Sequence, residues 1–233
     1  MKTKGIVTGI VSNLVTVKVD GPVAENEICY IDLQGVKMMA EVIKVNGESA
    51  SVQVFESTRG LKGGDTVEFE GRMLEIQLGP GLLSSVYDGL QNNLATMENV
   101  FLQRGEYTDP LDREKKWEFT PLAKAGDRVV AADWLGEVKE GWLPHKIMVP
   151  FSFEGEYTVK SVKEAGAYTV DTEVAVLVNE HGEEVKVTMV QKWPVKVAIK
   201  GYKEKPRPNR IMETGVRVID TLNPIAEGGT GFI

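Results

Sequence analysis

The sequence predicts a mainly β fold: a small barrel over residues 1–70 and a second β-rich region over 110–185. Three observations carry this. Short runs alternate apolar and polar residues, turn signals separate those runs at close spacing, and both features return after one stretch with a four-residue apolar period.

In the first region Val15, Val17 and Val19 alternate with Thr16, Lys18 and Asp20, so one face is apolar and the other solvated. EICYIDL (27–33), KMMAEVIKV (37–45), SASVQVFES (49–57) and TVEFEG (66–71) continue the pattern. Asp20-Gly21-Pro22, Asn46-Gly47 and Gly63-Gly64-Asp65 punctuate it, and Asn46-Gly47 predicts a two-residue hairpin turn with positive φ at both central positions. Strands this short and closely spaced favour a closed barrel, which leaves no sheet edge exposed. The opening MKTKGIVTGIVSNLVTVKVD, with two early lysines, has the look of a signal peptide. Ser12 and Asn13 break its apolar run and no small-residue cleavage site follows, so a first hairpin is expected.

LGPGLLSSVYDGLQNNLATM (78–97) comes next. Leu82, Val86, Leu90 and Leu94 recur every four residues, which predicts a short helix after the Gly79-Pro80-Gly81 break. Gly89 weakens it by about 1 kcal/mol relative to Ala. Residues 110–185 return to β character, with turns at Ala125-Gly126-Asp127, Glu154-Gly155 and Ala165-Gly166. In EEVKVTMVQKWPVKVAIK (183–200), Val185, Val187 and Met189 alternate with Glu184, Lys186 and Thr188. Lys203 to Arg210, with Pro206 and Pro208, reads as an extended connector. Thr214 is expected to cap a helix through Thr221, with Val218, Ile219 and Leu222 inward and Pro224 ending it.

Composition excludes several classes. Of 233 residues 42% are hydrophobic and 26% charged, a globular balance, and the net charge of −7 argues against a generic nucleic-acid binder. Cys29 is the single cysteine, so an intramolecular disulfide is impossible and an intracellular location fits. With only His145 and His181 beside it, a buried zinc site is not expected. No stretch approaches the roughly 20 apolar residues of a membrane-spanning helix.

Two segments invite a chemical reading. Glu227-Gly228-Gly229-Thr230-Gly231-Phe232-Ile233 has the glycines of a phosphate-cradling loop but neither the Lys nor a following helix, so a turn entering a strand is expected. AGDRVVAADWLGEV (125–138), HKIMVP (145–150) and the strands after them resemble a biotinyl/lipoyl carrier sandwich, in which Lys146 would be the attachment point. Its neighbours, His145 and Ile147, are not those usual around a carrier lysine. A carrier-like sandwich without the cofactor is the reading preferred. The acids Glu106, Asp109, Asp112 and Glu114 read as a solvated loop. Trp117, Trp134, Trp142 and Trp193 read as core or interface anchors, and Ser84-Ser85 lacks a nucleophile's surroundings.

The order of a leading barrel, LGPGLLSSVYDGLQ (78–91), HKIMVP (145–150), TMVQKWPVK (188–196) and TGVRVIDTLNPIAEGGTGFI (214–233) resembles the catalytic A subunit of V-type and archaeal-type (A-type) rotary ATPases over nearly the whole chain. Asn92-Asn93, where relatives more often have Arg-Pro, is a small departure. The resemblance implies an N-terminal barrel at 1–70 and the start of a P-loop α/β nucleotide-binding domain at 71–109. An inserted β-rich lobe follows at 110–185, and the nucleotide-binding domain resumes at 186–233. It implies ATP/ADP and Mg2+ in the intact subunit, with the phosphate-binding loop beyond Ile233. No catalytic, cofactor-binding or metal residue is therefore assigned in this chain, and none of these groups is expected bound to it. The implied partners are B subunits in an alternating A3B3 hexamer, the central stalk, and peripheral-stalk subunits contacted by the 110–185 lobe. Neither nucleic acid nor direct membrane insertion is implied. The implied location is cytoplasmic, in the soluble head on a membrane across which protons or sodium ions move. A biotinyl/lipoyl-type carrier and a purely structural docking module are the alternatives.

Overall fold

The computed structural model describes residues 2–97, 99, 103–199 and 207–229. They belong to two compact units, Met1–Ile199 and Lys200–Ile233.

In the first unit, β1 (Lys4–Val11), β2 (Leu14–Val19), β3 (Glu27–Leu33), β4 (Val36–Asn46), β5 (Ser49–Val54) and β6 (Thr66–Met73) close into a barrel in the order β1-β2-β5-β4-β3-β6. Closure is made by β6 returning antiparallel to β1, with Gly5 opposite Val67. Strand alternation decides what lies inside. Val7, Val15, Val17, Ile31, Met38, Val52, Val67 and Phe69 pack as one buried cluster, while the residues between them face outward. Gly5 lets β1 approach its neighbour, since a Cβ there would stand 2.5 Å from Val17 Cγ1. Ser12-Asn13 forms the tight turn that pairs Val11 with Leu14, so the opening segment is a hairpin.

The Asn46-Gly47 expectation needs correcting by one residue. Asn46 pairs with Ser49, so Gly47 and Glu48 are the central pair, and of these only Gly47 has positive φ. That is the turn in which glycine takes the first central position. The turn with positive φ at both centres is Gln34-Gly35, between β3 and β4.

Beyond the barrel, β7 (Glu75–Leu78) pairs antiparallel with β16 (Gln191–Pro194), Trp193 opposite Ile76. The chain leaves this ribbon at Leu78, builds a β sandwich, and returns at Gln191. One sheet runs β11-β10-β8-β13, formed by β8 (Lys116–Pro121), β10 (Trp134–Glu140), β11 (Leu143–Met148) and β13 (Gly166–Thr169). The other runs β15-β14-β12-β9, formed by β9 (Arg128–Val129), β12 (Tyr157–Val162), β14 (Ala175–Val178) and β15 (Glu184–Val187). The interior is divided in two. Trp117, Phe119, Val138, Ile147, Val170, Val174 and Met189 make one cluster; Val129, Leu135, Val149, Val159, Ala175, Leu177 and Val187 make the other. The predicted alternation over 183–190 persists in burial, but the chain leaves the sheet after Val187.

The predicted helix over 78–97 does not form; turns and one bridge, Tyr87 with Asn93, occupy it. Its polar residues take over the amides a helix would use. Asp88 Oδ1 accepts from the Leu90 and Asn92 amides at 2.9 and 2.8 Å, and Asn93 Oδ1 accepts from Ala95 at 3.1 Å. Such local side-chain acceptors compete with the helical ladder. Ser84 and Gln91 also take positive φ, and Val86 and Leu94 are exposed rather than aligned on a buried face.

In the second unit, described over 207–229, α1 spans Arg217–Leu222 and buries none of its residues. Val218 and Leu222, expected inward, are exposed. Thr214 is not the cap: the residue before the helix is Val216, with no side-chain cap bond. Thr214 Oγ1 instead donates to Asp220 Oδ1 at 2.6 Å. Asn223 ends the helix just before Pro224, as expected. Residues 203–206 of the expected connector lie outside the described residues.

Candidate functional site

The junction between the 78–97 segment and the sandwich is built on a buried carboxylate. At the end of β10, the Glu140 carboxylate is 6% exposed. Its Oε1 accepts from the Gly81 amide at 2.6 Å and the Leu83 amide at 3.1 Å, and its Oε2 lies 2.6 Å from His145 Nδ1. His145 stands on β11, opposite Val138, which puts it diagonally across the hairpin from Glu140. Close by, Gln191 Oε1 accepts from the Phe151 amide at 3.0 Å, and Trp193 meets Phe151 edge-on with centroids 5.6 Å apart. The two motifs GPGLL and HKIMVP therefore meet in space through Glu140. In the sequence Glu140 stands before Gly141-Trp142, where a glutamate reads as the solvated end of a hairpin, and its loop partners lie 57 and 59 residues away.

Arg113 is the second tie. It pairs with Asp109 at 2.9 Å and Asp171 at 2.7 Å and also reaches Gln77, joining the entry segment, β7 and the sandwich. Partial burial pushes the Asp109 carboxyl up, but the Arg113 hydrogen bond and the Leu111 amide outweigh it and hold it below the usual carboxylate range. Asp112 accepts from the Glu114 and Lys115 amides at 2.9 and 3.0 Å. Asp109 and Asp112 thus serve loop architecture rather than an acid–base pair, and Glu106, expected in a solvated loop, has Oε2 buried.

A third set ties 103–108 to the barrel. Glu56 accepts from Tyr107 Oη at 2.6 Å and from the Gly105 amide at 2.9 Å, while Tyr107 Oη also accepts from the Met39 amide at 2.9 Å. Lys196 reaches Glu41 at 2.7 Å and Asn26 at 2.8 Å.

Lys146, the expected attachment point of a carrier, is misplaced for that role. It lies within β11 rather than at a hairpin tip, its ammonium pairs with Glu137, and it sits 4.8 Å from the centre of the Trp134 ring. The tip of the hairpin is Gly141-Trp142. A lysine presented for modification must stand free, so the carrier reading loses its residue. Of the tryptophans expected as anchors, Trp117 is in the core; Trp134 and Trp142 are exposed. Of the glycine-rich tail, Thr230 to Ile233 lie outside the described residues. Glu227 pairs with Arg210 at 3.5 Å, and its amide donates to the Arg210 carbonyl at 3.0 Å. Among the described residues no group of three or more His, Cys, Asp or Glu is arranged to hold a metal ion.

A closed six-stranded barrel followed by an eight-stranded sandwich, reached through an antiparallel ribbon, is matched piece by piece. Residues 7–71 match the beta-barrel domain of the ATP synthase alpha/beta family, and residues 108–196 match the ATP synthase alpha/beta subunit barrel-sandwich domain. The chain belongs to the ATP synthase alpha/beta family.

Within it, the chain is similar to V-type ATP synthase alpha chains. It is 48% identical to that of Treponema denticola over 98% of this chain and 39% of the relative. It is 46% identical to that of Borrelia garinii subsp. bavariensis and 45% identical to that of Borreliella burgdorferi, each over 99% of this chain and 40% of the relative. The chain thus spans about two fifths of the length of the curated relatives it matches. Among the described residues no helix is long and apolar enough to cross a membrane.

Proposed function

We propose that this chain is the N-terminal portion of the catalytic A subunit of a V/A-type rotary ATPase or ATP synthase, coupling ATP hydrolysis or synthesis to proton or sodium movement across a membrane. The observation that carries the reading is identity of 45–48% over nearly the whole chain to relatives named V-type ATP synthase alpha chain. Agreement of the barrel and sandwich with two domains of one family, in order, supports it.

In this reading residues 1–70 are the barrel that packs beside B subunits in an alternating A3B3 ring. Residues 71–109 and 186–233 belong to the nucleotide-binding domain, and 110–185 are an inserted lobe that meets the peripheral stalk. The return of the chain to the β7–β16 ribbon supports the insertion, because both of its ends then leave from one place. The subunit works at the membrane surface, on the cytoplasmic side, as part of the head that turns on the central stalk.

Phosphoryl transfer calls for a phosphate-binding Lys, a hydroxyl and a carboxylate holding Mg2+, and a carboxylate orienting water. None of these roles is assigned to a residue of this chain, so it is expected neither to hydrolyse ATP nor to bind it alone. Calorimetric titration of the chain with Mg-ATP should give no binding heat, and micromolar binding would sink the assignment. Co-expression with a B-type head subunit should yield a complex on size exclusion. Separate elution at micromolar concentration counts against the ring-packing role of the barrel.

A further inference from the structure

The loop over residues 80–85 depends on one side chain for its hydrogen bonds. Within it the Gly81 and Leu83 amides are the donors that find an acceptor, and both use Glu140 Oε1. Gly81 takes φ of 111°, a region that favours glycine, so the chain turns sharply just after the amide that meets the carboxylate. The other carboxylate oxygen is held by His145 Nδ1. Behind the loop lies a cavity of about 230 Å³, lined among others by Leu78, Leu82, Leu83, His145, Ile147 and Met189. The loop is therefore not packed down by a filled core. A buried carboxylate needs its donors as much as they need it, because an unpaired charge at such a site is strongly disfavoured.

We infer that Glu140 and His145 form a latch that holds the 80–85 loop against the β10–β11 hairpin, so that loop and hairpin move together and part only when the carboxylate loses its grip. His145 touches neither loop amide and acts as a positioning residue: it fixes the carboxylate whose other oxygen receives them. The device joins residues 80–85 to the β10–β11 hairpin through one carboxylate, and a displacement of the hairpin is passed to them through it.

Amide hydrogen exchange by NMR on the full chain tests this. In Glu140→Gln, which keeps an acceptor oxygen but removes its charge, exchange at Gly81 and Leu83 should rise about 3- to 30-fold, the difference between a charged and a neutral acceptor. Val17 and Val52 in the barrel should keep their rates. In His145→Phe the same two amides should exchange about 3- to 10-fold faster, although no bond to them has been removed. Unchanged exchange at Gly81 and Leu83 in either variant overturns the latch. So does acceleration in Glu140→Gln that spreads equally to Val138 and Ile147, which would signal loss of the whole sandwich instead of release of the loop. If Glu140→Gln does not fold, His145→Phe, which keeps the carboxylate, decides alone.

Discussion

The barrel fills its interior with one cluster running from Val7 to Phe69, and each of its strands has a neighbour on both sides because β6 closes on β1. The sandwich has eight strands, shorter on average than the barrel's, and it divides its interior into two clusters; its sheets end in open edges at β11, β13, β15 and β9. Glu27 and Glu140, buried carboxylates in the two structures, differ in the same sense. In the barrel, Glu27 accepts from the Ala24 and Gly71 amides at 3.0 and 2.6 Å, the first in the β2–β3 loop and the second in β6. In the sandwich, Glu140 reaches outside its sheets to hold a loop, and Trp117 Nε1 is buried without an acceptor. Closure completes the barrel's backbone pairing, while two of its carboxylates still hold outside segments: buried Glu41 pairs with Lys196, and Glu56 accepts from Tyr107 and Gly105. The open sandwich is completed by ties to the segments that enter and leave it.

Core deletions should break the two halves separately, and the barrel should lose more. Phe69 is fully buried at the centre of its cluster, so Phe69→Ala should cost about 3–5 kcal/mol. All four tryptophans lie outside the barrel. Urea unfolding followed by far-UV circular dichroism should therefore show an early transition that tryptophan fluorescence misses. Coincident transitions by both probes would mean that the halves unfold as one.

The sandwich has its own weak point at Gly136, where an added Cβ would stand 2.2 Å from Phe119 Cε2. Phe119 is walled in by Trp117, Val138 and Tyr168, so the ring cannot step aside freely. Gly136→Ala should cost about 1–3 kcal/mol by overpacking. Here the fluorescence transition should move to lower urea while the barrel's stays in place.

The seam between the barrel and the rest is next. Burial raises the Tyr107 phenol above its ordinary value, and its hydrogen bond to Glu56 raises it further. The folded state thus favours the neutral phenol. Its contribution is fully present below the unfolded value of about 10 and is lost as pH rises from there through the folded one. Tyr107→Phe should cost about 1 kcal/mol near neutrality, since the group is partly exposed, and should remove this alkaline loss. Unfolding midpoints measured from pH 8 to 11.5 for both proteins check it. Parallel curves would mean that another group carries the alkaline transition.

How much of this was legible in the sequence follows the same division. The barrel's alternation could be read because period two on a closed sheet has one meaning: every second residue is inside. Val15, Val17 and Val19 are buried as that requires. The turn at 46–49 was placed one residue early because register belongs to the strand pairing, and only Gly47 needs positive φ. The helix over 78–97 was misread for a chemical reason. The four-residue period of Leu82, Val86, Leu90 and Leu94 competes with Asp88 and Asn93, whose side chains capture neighbouring amides. Glu140, Arg113 and Tyr107 also have partners 57 to 59, 36 and 58, and 51 residues away, respectively, and these distant contacts leave no local signal; only the near pairs Arg113–Asp109 and Glu140–His145 are local. Lys146 was read from its motif alone, and its Glu137 partner is apparent only across the hairpin.

The smallest effect should come from the most conspicuous residue. Trp142 sits at the tip of the β10–β11 hairpin with 88% of its surface exposed, while Trp117, in the same sheet, is 6% exposed. Burial sets what a side chain contributes to folding, so the two tryptophans should behave oppositely despite equal size. Trp142 follows Gly141, whose positive φ makes the turn, and therefore Trp142→Ser leaves the turn geometry in place. The expected stability change is within about 0.5 kcal/mol, the range for surface sites without special contacts. The emission lost should be its red-shifted, quencher-accessible part, with the Trp117 component retained. A loss of 2 kcal/mol or more would show that the hairpin tip is packed against something in solution, and would turn the exposed ring from a neutral surface feature into part of the sandwich's support.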